Sequence, residues 1–363
     1  MVELPDHFSV HADPDIDRVV AAHVSRVGEE VCRVVGDIRA LFLVGGFARG
    51  EGSVIVDRDG PRPLNDYDFV IVTETRRYWS SLAQTGQRLA KELGIPAVDL
   101  LPLRIRDLPA LRHTIFNYDL IACGKLVAGD TSVRNFLPRL LPGHIPLVEG
   151  RILLMNRMYC LLESFRHRFL GESPNEPEAF FCHQQGAKAV LACQDAILLQ
   201  QRRYHHRYLE RMLRFQDGPC PVRGLQELSR QATAFKLRPT PVTGEAAVGM
   251  WLEGRRVLLA GLQLVTGRSS WDELERAHLA RSLRDRLARR LAALRGGGED
   301  PRQALVEIAE LRLLVSLGDG GGESGSPGAA RLLTEAGFTA SEQDGWERLR
   351  QRAVDAWMTV THG

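Results

Sequence analysis

Residues 41–73, LFLVGGFARGEGSVIVDRDGPRPLNDYDFVIVT, decide how the chain is read. An apolar run from Leu41 to Val44 meets the pair Gly45-Gly46, and a second run, Phe69 to Val72, follows Asn65-Asp66-Tyr67-Asp68. The second run is continuous, rich in β-branched residues and bounded by turn formers, the pattern of a strand buried on both faces. Nineteen residues separate Gly46 from Asp66, and within them Val56-Asp57-Arg58-Asp59-Gly60-Pro61 carries hairpin-turn chemistry. This insert is expected to be an extension of its two flanks, away from the site.

Asp66 and Asp68 stand two apart at the mouth of that strand, so both carboxylates face the same way. Two adjacent like charges that lose hydration need a cation, and a hard oxygen-seeking ion such as Mg²⁺ fits. The glycine pair lets backbone N–H groups approach phosphate oxygens where a strand turns into a helix. On its own an Asp-x-Asp is more often solvated loop charge. The glycine pair on the preceding strand is what turns the reading toward metal-assisted chemistry on a nucleoside triphosphate.

The order strand, Gly45-Gly46, short helix and strand with Asp66-Tyr67-Asp68 resembles the DNA polymerase β-like nucleotidyltransferase superfamily. Gly45-Gly46-Phe47-Ala48-Arg49-Gly50-Glu51 looks most like the branch of the bacterial uridylyltransferases, and aminoglycoside nucleotidyltransferases share the core. The long insert departs from that pattern, and the resemblance covers about residues 40–130. It implies an α/β (α+β) nucleotidyltransferase domain with a mixed sheet, followed by an all-α helical bundle. It also implies two Mg²⁺ ions, with Mn²⁺ as an alternative, held by Asp66, Asp68 and Asp99. In the superfamily the third carboxylate draws the proton from the attacking hydroxyl, a role that falls here to Asp99. A helical domain closing over the nucleotide makes Lys188 a phosphate ligand, against the simpler role of a solvated lysine.

Composition sets wider bounds. With 363 residues, 44% hydrophobic and 25% charged, the chain reads as an ordinary soluble protein with room for two domains. A net charge of +2 argues against a strongly electrostatic nucleic-acid binder. The acidic N-terminal stretch lacks signal-peptide layout and no run is long enough to span a membrane, so a cytoplasmic location is expected. Six cysteines without a C-x-x-C pair read as buried, reduced thiols.

Along the chain, Asp13-Pro14 opens a helix whose valines recur at helical spacing to about Val35, within an N-terminal segment 1–38 packed on the sheet. The catalytic domain is placed at 39–140. Strand one runs from about Arg39 to Val44. Arg49 is read either as a triphosphate ligand or as a brace to Glu51 or an Asp. Thr75 to Leu93 is helical and stops at Gly94. Pro96 to Leu103 is a strand in which Asp99 interrupts an apolar run, either as a buried ligand or as a loop cap. Thr114 to Ala122 reads as a further strand, and Gly124 to Asp130 as a turn and short strand.

Residues 147–363 read as helical, with Glu149 to His167, Phe180 to Arg203, 222–235, 246–266, 271–295, 301–316 and 340–359 as helices. Flexible breaks are expected near 295–301 and 318–328. Arg202 to Arg214 is basic with interleaved aromatics. A solvated helix face is the commoner reading, an RNA-facing helix or an acceptor pocket lined by Tyr204, His205 and Tyr208 the rarer ones.

The expected reaction moves a nucleoside monophosphate from an NTP to an acceptor hydroxyl and releases pyrophosphate. Gly45 and Gly46, with Arg49 and Lys188, hold phosphates. A small-molecule acceptor is favoured over a protein hydroxyl (AMPylation or UMPylation) or an RNA end. A non-catalytic nucleotide-binding or interaction module is the remaining alternative.

Overall fold

The chain's first long helix, α1 (Pro14–Val34), starts where Asp13 accepts the Asp15 N–H, with proline in the first turn. Ile16, Val20, Val24, Val27 and Val31 line one face and are buried against the sheet. The computed structural model describes residues 5–58, 60–280, 300, 302–317 and 326–362.

β1 (Ile38–Val44) lies at the centre of a four-stranded sheet of order β5-β4-β1-β6. It runs antiparallel to β4 (Tyr67–Thr73) and to β6 (Lys125–Gly129), while β5 (Val98–Arg104) joins β4 in parallel. The sheet is therefore mixed, as the sequence implied. Alternate residues feed two cores. Leu41, Leu43, Phe69 and Ile71 meet α1 and α3 (Trp79–Leu93) on one face. Phe42, Val44, Val70 and Val72 meet Leu108, Leu120 and Val133 on the other. Burying each of these side chains contributes about 1.5–3 kcal/mol. Between β1 and β4 lie the short α2 (Gly45–Ala48) and the insert, which forms its own two-stranded sheet, β2 (Val54–Asp57) against β3 (Gly60–Pro63).

Two segments differ from the sequence reading. Residues 114–122 are helical, as α4 (Ile115–Cys123), and not a strand. The Thr114 side chain accepts the Asn117 N–H and Gly124 closes the last turn onto Leu120, so capping at both ends outweighs the apolar run between them. The basic stretch is not one helix. α7 begins only at Tyr208 and runs to Gln216, after Arg202 turns the backbone at φ +59°.

From Val148 every described element is helical: α5 (Val148–Ser164), α6 (Glu176–Gln200), α7, α8 (Leu225–Leu237), α9 (Gly244–Thr266), residues 271–280, then Gln303–Ser316, Pro327–Glu335 and Trp346–His362. The helix at Pro327–Glu335, capped by Ser326, was not foreseen. The rest of the expected helix 271–295 lies outside the described residues. So do the expected breaks at 295–301 and 318–328, apart from residue 300 and residues 326–328.

The chain divides into two compact units. The first holds Met1–Glu149 with Gln201–Gly218 and Thr233–Thr240; the second holds Gly150–Gln200, Pro219–Ala232 and Pro241–Gly363. Two segments that the sequence assigned to the helical half thus pack in the first unit. In the second, α6 and α9 cross closely because Gly186 has no side chain; a Cβ there would lie 2.7 Å from the Met250 carbonyl oxygen. Cys123, Cys182 and Cys193 are buried free thiols, but Cys32 is exposed, on the outer face of α1. Among the described residues no helix is long and apolar enough to cross a membrane.

Candidate functional site

β1 ends at Val44, whose partner across the antiparallel ladder is Asp68; Asp68 in turn pairs with Asp99 across the parallel ladder. Alternation puts Asp68 on the same face as Val70 and Val72, and its ladder partner Asp99 shares that side. Asp66 precedes β4 by one residue. Gly45 follows Val44 at φ +70°, a left-handed conformation, and a Cβ built on it would come 2.3 Å from Asp68 Oδ2. The carboxylate thus occupies the space that any side chain at 45 would fill. A Gly45→Ala variant is expected to lose about 1–3 kcal/mol of stability from backbone strain and displacement of Asp68. Urea unfolding measures this, and a change below about 0.5 kcal/mol would contradict the tight apposition.

Burial pushes the Asp68 carboxyl up to about 6, the neighbouring Asp99 and Asp66 carboxylates push in the same direction, and Arg49 and Lys236 pull against them. A carboxylate in that position is held at a cost that a cation relieves. Asp99 departs from expectation: β5 is the edge strand and Asp99 is exposed, so no desolvation forces a ligand on it. Among the described residues no group of three or more His, Cys, Asp and Glu side chains is arranged to hold a metal ion. Asp68, pushed up by burial and by its neighbours Asp99 and Asp66, is the group whose charge a cation sharing oxygen ligands with water and phosphate would relieve.

Arg49 is engaged by carboxylates of its own unit. Its side chain is buried, with NH1 3.2 Å from Asp119 Oδ2 and Nε 3.5 Å from Glu51 Oε2. Burial works to lower its pKa, but Asp119 and Tyr208 outweigh it and the net shift is upward. Asp119 also accepts from the Tyr204 hydroxyl at 3.4 Å, and Arg211 donates to that hydroxyl at 3.4 Å. Tyr204 and Arg211 are buried, while Arg202, Arg207, Leu209 and Leu213 are exposed, so the segment is solvated on one side only.

Lys188 lies on α6 in the second unit, so the first unit does not itself bring it to the carboxylates. Of the three lysines in the first unit, Lys91, Lys125 and Lys236, the one whose charge opposes the rise at Asp68 is Lys236, in the last turn of α8. Its Nζ stands 5.6 Å from the Tyr208 ring centre, its charge is felt at Asp68, and its carbonyl accepts from Ser53 Oγ at 2.6 Å. Nothing local in the sequence marks it, because its position depends on a contact 183 residues away. Glu51, a partner for Arg49, also accepts the backbone N–H groups of Tyr208 and Leu209.

The chain matches no protein-family model, and a search of curated proteins returns no match.

Proposed function

We propose that the first unit is a Mg²⁺-dependent nucleotidyltransferase that moves a nucleoside monophosphate from an NTP to a hydroxyl, most simply that of a small molecule. What supports this above all is the junction of β1 and β4, where Gly45 leaves room for Asp68 beside two further carboxylates. Asp66 and Asp68 hold the cation. Mg²⁺ bound there supplies charge neutralisation for the departing pyrophosphate and lowers the pKa of the acceptor hydroxyl. The Gly45-Gly46 backbone lies at the strand end where phosphate oxygens can approach. In the reaction the acceptor oxygen bonds to the α-phosphorus, the bond from that phosphorus to the bridging oxygen breaks, and pyrophosphate leaves. Asp99, exposed beside Asp68, takes the hydroxyl proton. Lys236, in the same unit as Asp68, is a cation for the phosphate side alongside the Lys188 of the second unit.

The test is a thermal-shift panel with ATP, CTP, GTP and UTP, each with and without Mg²⁺. A ligand that binds only the folded form stabilises it by about 2.7 kcal/mol at a hundred times its Kd. The expected result is a Mg²⁺-dependent rise with at least one nucleotide. No rise with any nucleotide, together with no Mn²⁺ at Asp66 and Asp68 in soaked crystals, would overturn the reading.

A further inference from the structure

The geometry points to Glu51 and Arg49 as positioning residues: they clasp the returning segments 201–218 and 233–240 onto the carboxylate end of the sheet and so hold Lys236 on the side of Asp68. This rests on the nucleotidyltransferase reading for its consequence, but not for its existence. Three sets of contacts carry it, all within the first unit.

The first is a helix cap supplied from far along the chain. α7 starts at Tyr208, and its own N-cap residue, Arg207, makes no side-chain capping bond. The first N–H groups of a helix have no partner inside it and must be met elsewhere. Glu51, 4% exposed, meets two of them: the Tyr208 N–H at 2.9 Å and the Leu209 N–H at 3.2 Å. A carboxylate at that end also complements the helix dipole.

The second is the ion-pair chain behind the cap. Arg49 joins Glu51 to Asp119, and Asp119 takes the Tyr204 hydroxyl from the same returning segment. Arg211 closes the loop by donating to Tyr204 and lying 4.0 Å from the Tyr208 ring centre.

The third links the clasp to Lys236. Tyr208 gathers three cations around one ring, with Arg49 at 5.3 Å, Arg211 at 4.0 Å and Lys236 at 5.6 Å from its centre. The Ser53 Oγ bond to the Lys236 carbonyl fixes the backbone of that lysine two residues beyond Glu51. Releasing α7 therefore removes the ring against which the Lys236 ammonium rests. The Arg-Gly-Glu that follows the glycine pair thus works on the protein's own chain.

Hydrogen exchange on the full chain, resolved at the Tyr208 and Leu209 amides, tests the clasp without any substrate. Glu51→Ala is expected to speed exchange at both amides by at least about tenfold relative to the α3 amides. It should also open tryptic cleavage after Arg202, Arg203 and Arg207. Glu51→Gln, which keeps an acceptor, should sit between it and wild type. Unchanged exchange in Glu51→Ala would overturn the proposal, and exchange raised equally throughout would mean global destabilisation and overturn it also. The link to Lys236 is read from the Mg²⁺–NTP affinity of Glu51→Ala, Lys236→Ala and the double variant. The expected losses are non-additive, the double variant binding no more weakly than Lys236→Ala. Fully additive losses would overturn the link. If wild type binds no nucleotide, the failure belongs to the nucleotidyltransferase reading, and the exchange result still decides the clasp.

Discussion

Asp68→Asn is expected to abolish nucleotidyl transfer, by about a thousandfold or more, while making the ligand-free protein more stable at neutral pH. The sign follows from linkage. An aspartate has an ordinary value of 3.8, and burial with Asp99 and Asp66 nearby raises Asp68 to about 6 in the folded protein. Between those values the folded state keeps a proton that the unfolded chain has lost. Its stability therefore falls as pH rises from about 4 to about 6 and is level above. Two pH units correspond to at most about 3 kcal/mol, and water reaching the partly buried carboxylate reduces that. The amide keeps the shape and removes the charge. The variant should melt about 3–8 °C higher than wild type at pH 7.5, and the gap should close as pH falls below 4. Calorimetry across pH 4–8 measures it. A variant that melts lower than wild type at pH 7.5 would mean that Asp68 is stabilised as an anion by the protein alone, and that no cation is needed. In wild type, Mg²⁺ should raise the melting temperature above pH 6 and have little effect below pH 5, because a protonated carboxyl is a poor ligand.

Much of this site is legible in the sequence because its parts are local. The glycine after β1, the two carboxylates before and within β4, and the hairpin between them all sit inside 33 consecutive residues, and strand alternation settles which way Asp68 faces. Asp99 was placed on the correct strand and given the wrong environment. An apolar strand reads as buried, but whether it lies at the edge of a sheet is decided by the order of all the strands, and at this edge Asp99 and Leu101 are exposed. The helix at Ile115–Cys123 was within reach, since Thr114 and Gly124 are cap signals on either side of nine residues; the run of apolar residues was weighed above them. Tyr204, Arg211 and Lys236 were out of reach. Their burial in the first unit depends on the chain returning to it twice from the helical half, and no periodicity records such a return. Arg49 shows the same gap: two roles fit its position in the motif, and its partner Asp119, seventy residues away, is not visible from the motif.

Replacing Arg49 with Met is expected to cost more stability than any other single change in the cluster, about 3–5 kcal/mol. The reason is what it leaves behind. Glu51 retains the Tyr208 and Leu209 N–H groups, so its charge stays partly met. Asp119 loses the guanidinium, for which the Tyr204 hydroxyl at 3.4 Å from each oxygen is a weak replacement. Removing the second charge should therefore restore much of the loss. The double variant Arg49→Met with Asp119→Asn is expected to be more stable than Arg49→Met alone, by about 1–3 kcal/mol, even though it carries one more substitution. Arg49→Lys should fall between wild type and Met, because an ammonium keeps the charge but loses the planar contact with Tyr208 and one of the two carboxylates. Urea unfolding of wild type, Arg49→Met, Asp119→Asn and the double variant closes the cycle. If Asp119→Asn gives no recovery in the Met background, the cost of losing Arg49 lies in packing around its stem rather than in its charge opposite Asp119, and the buried chain from Glu51 to Asp119 is held by shape more than by charge.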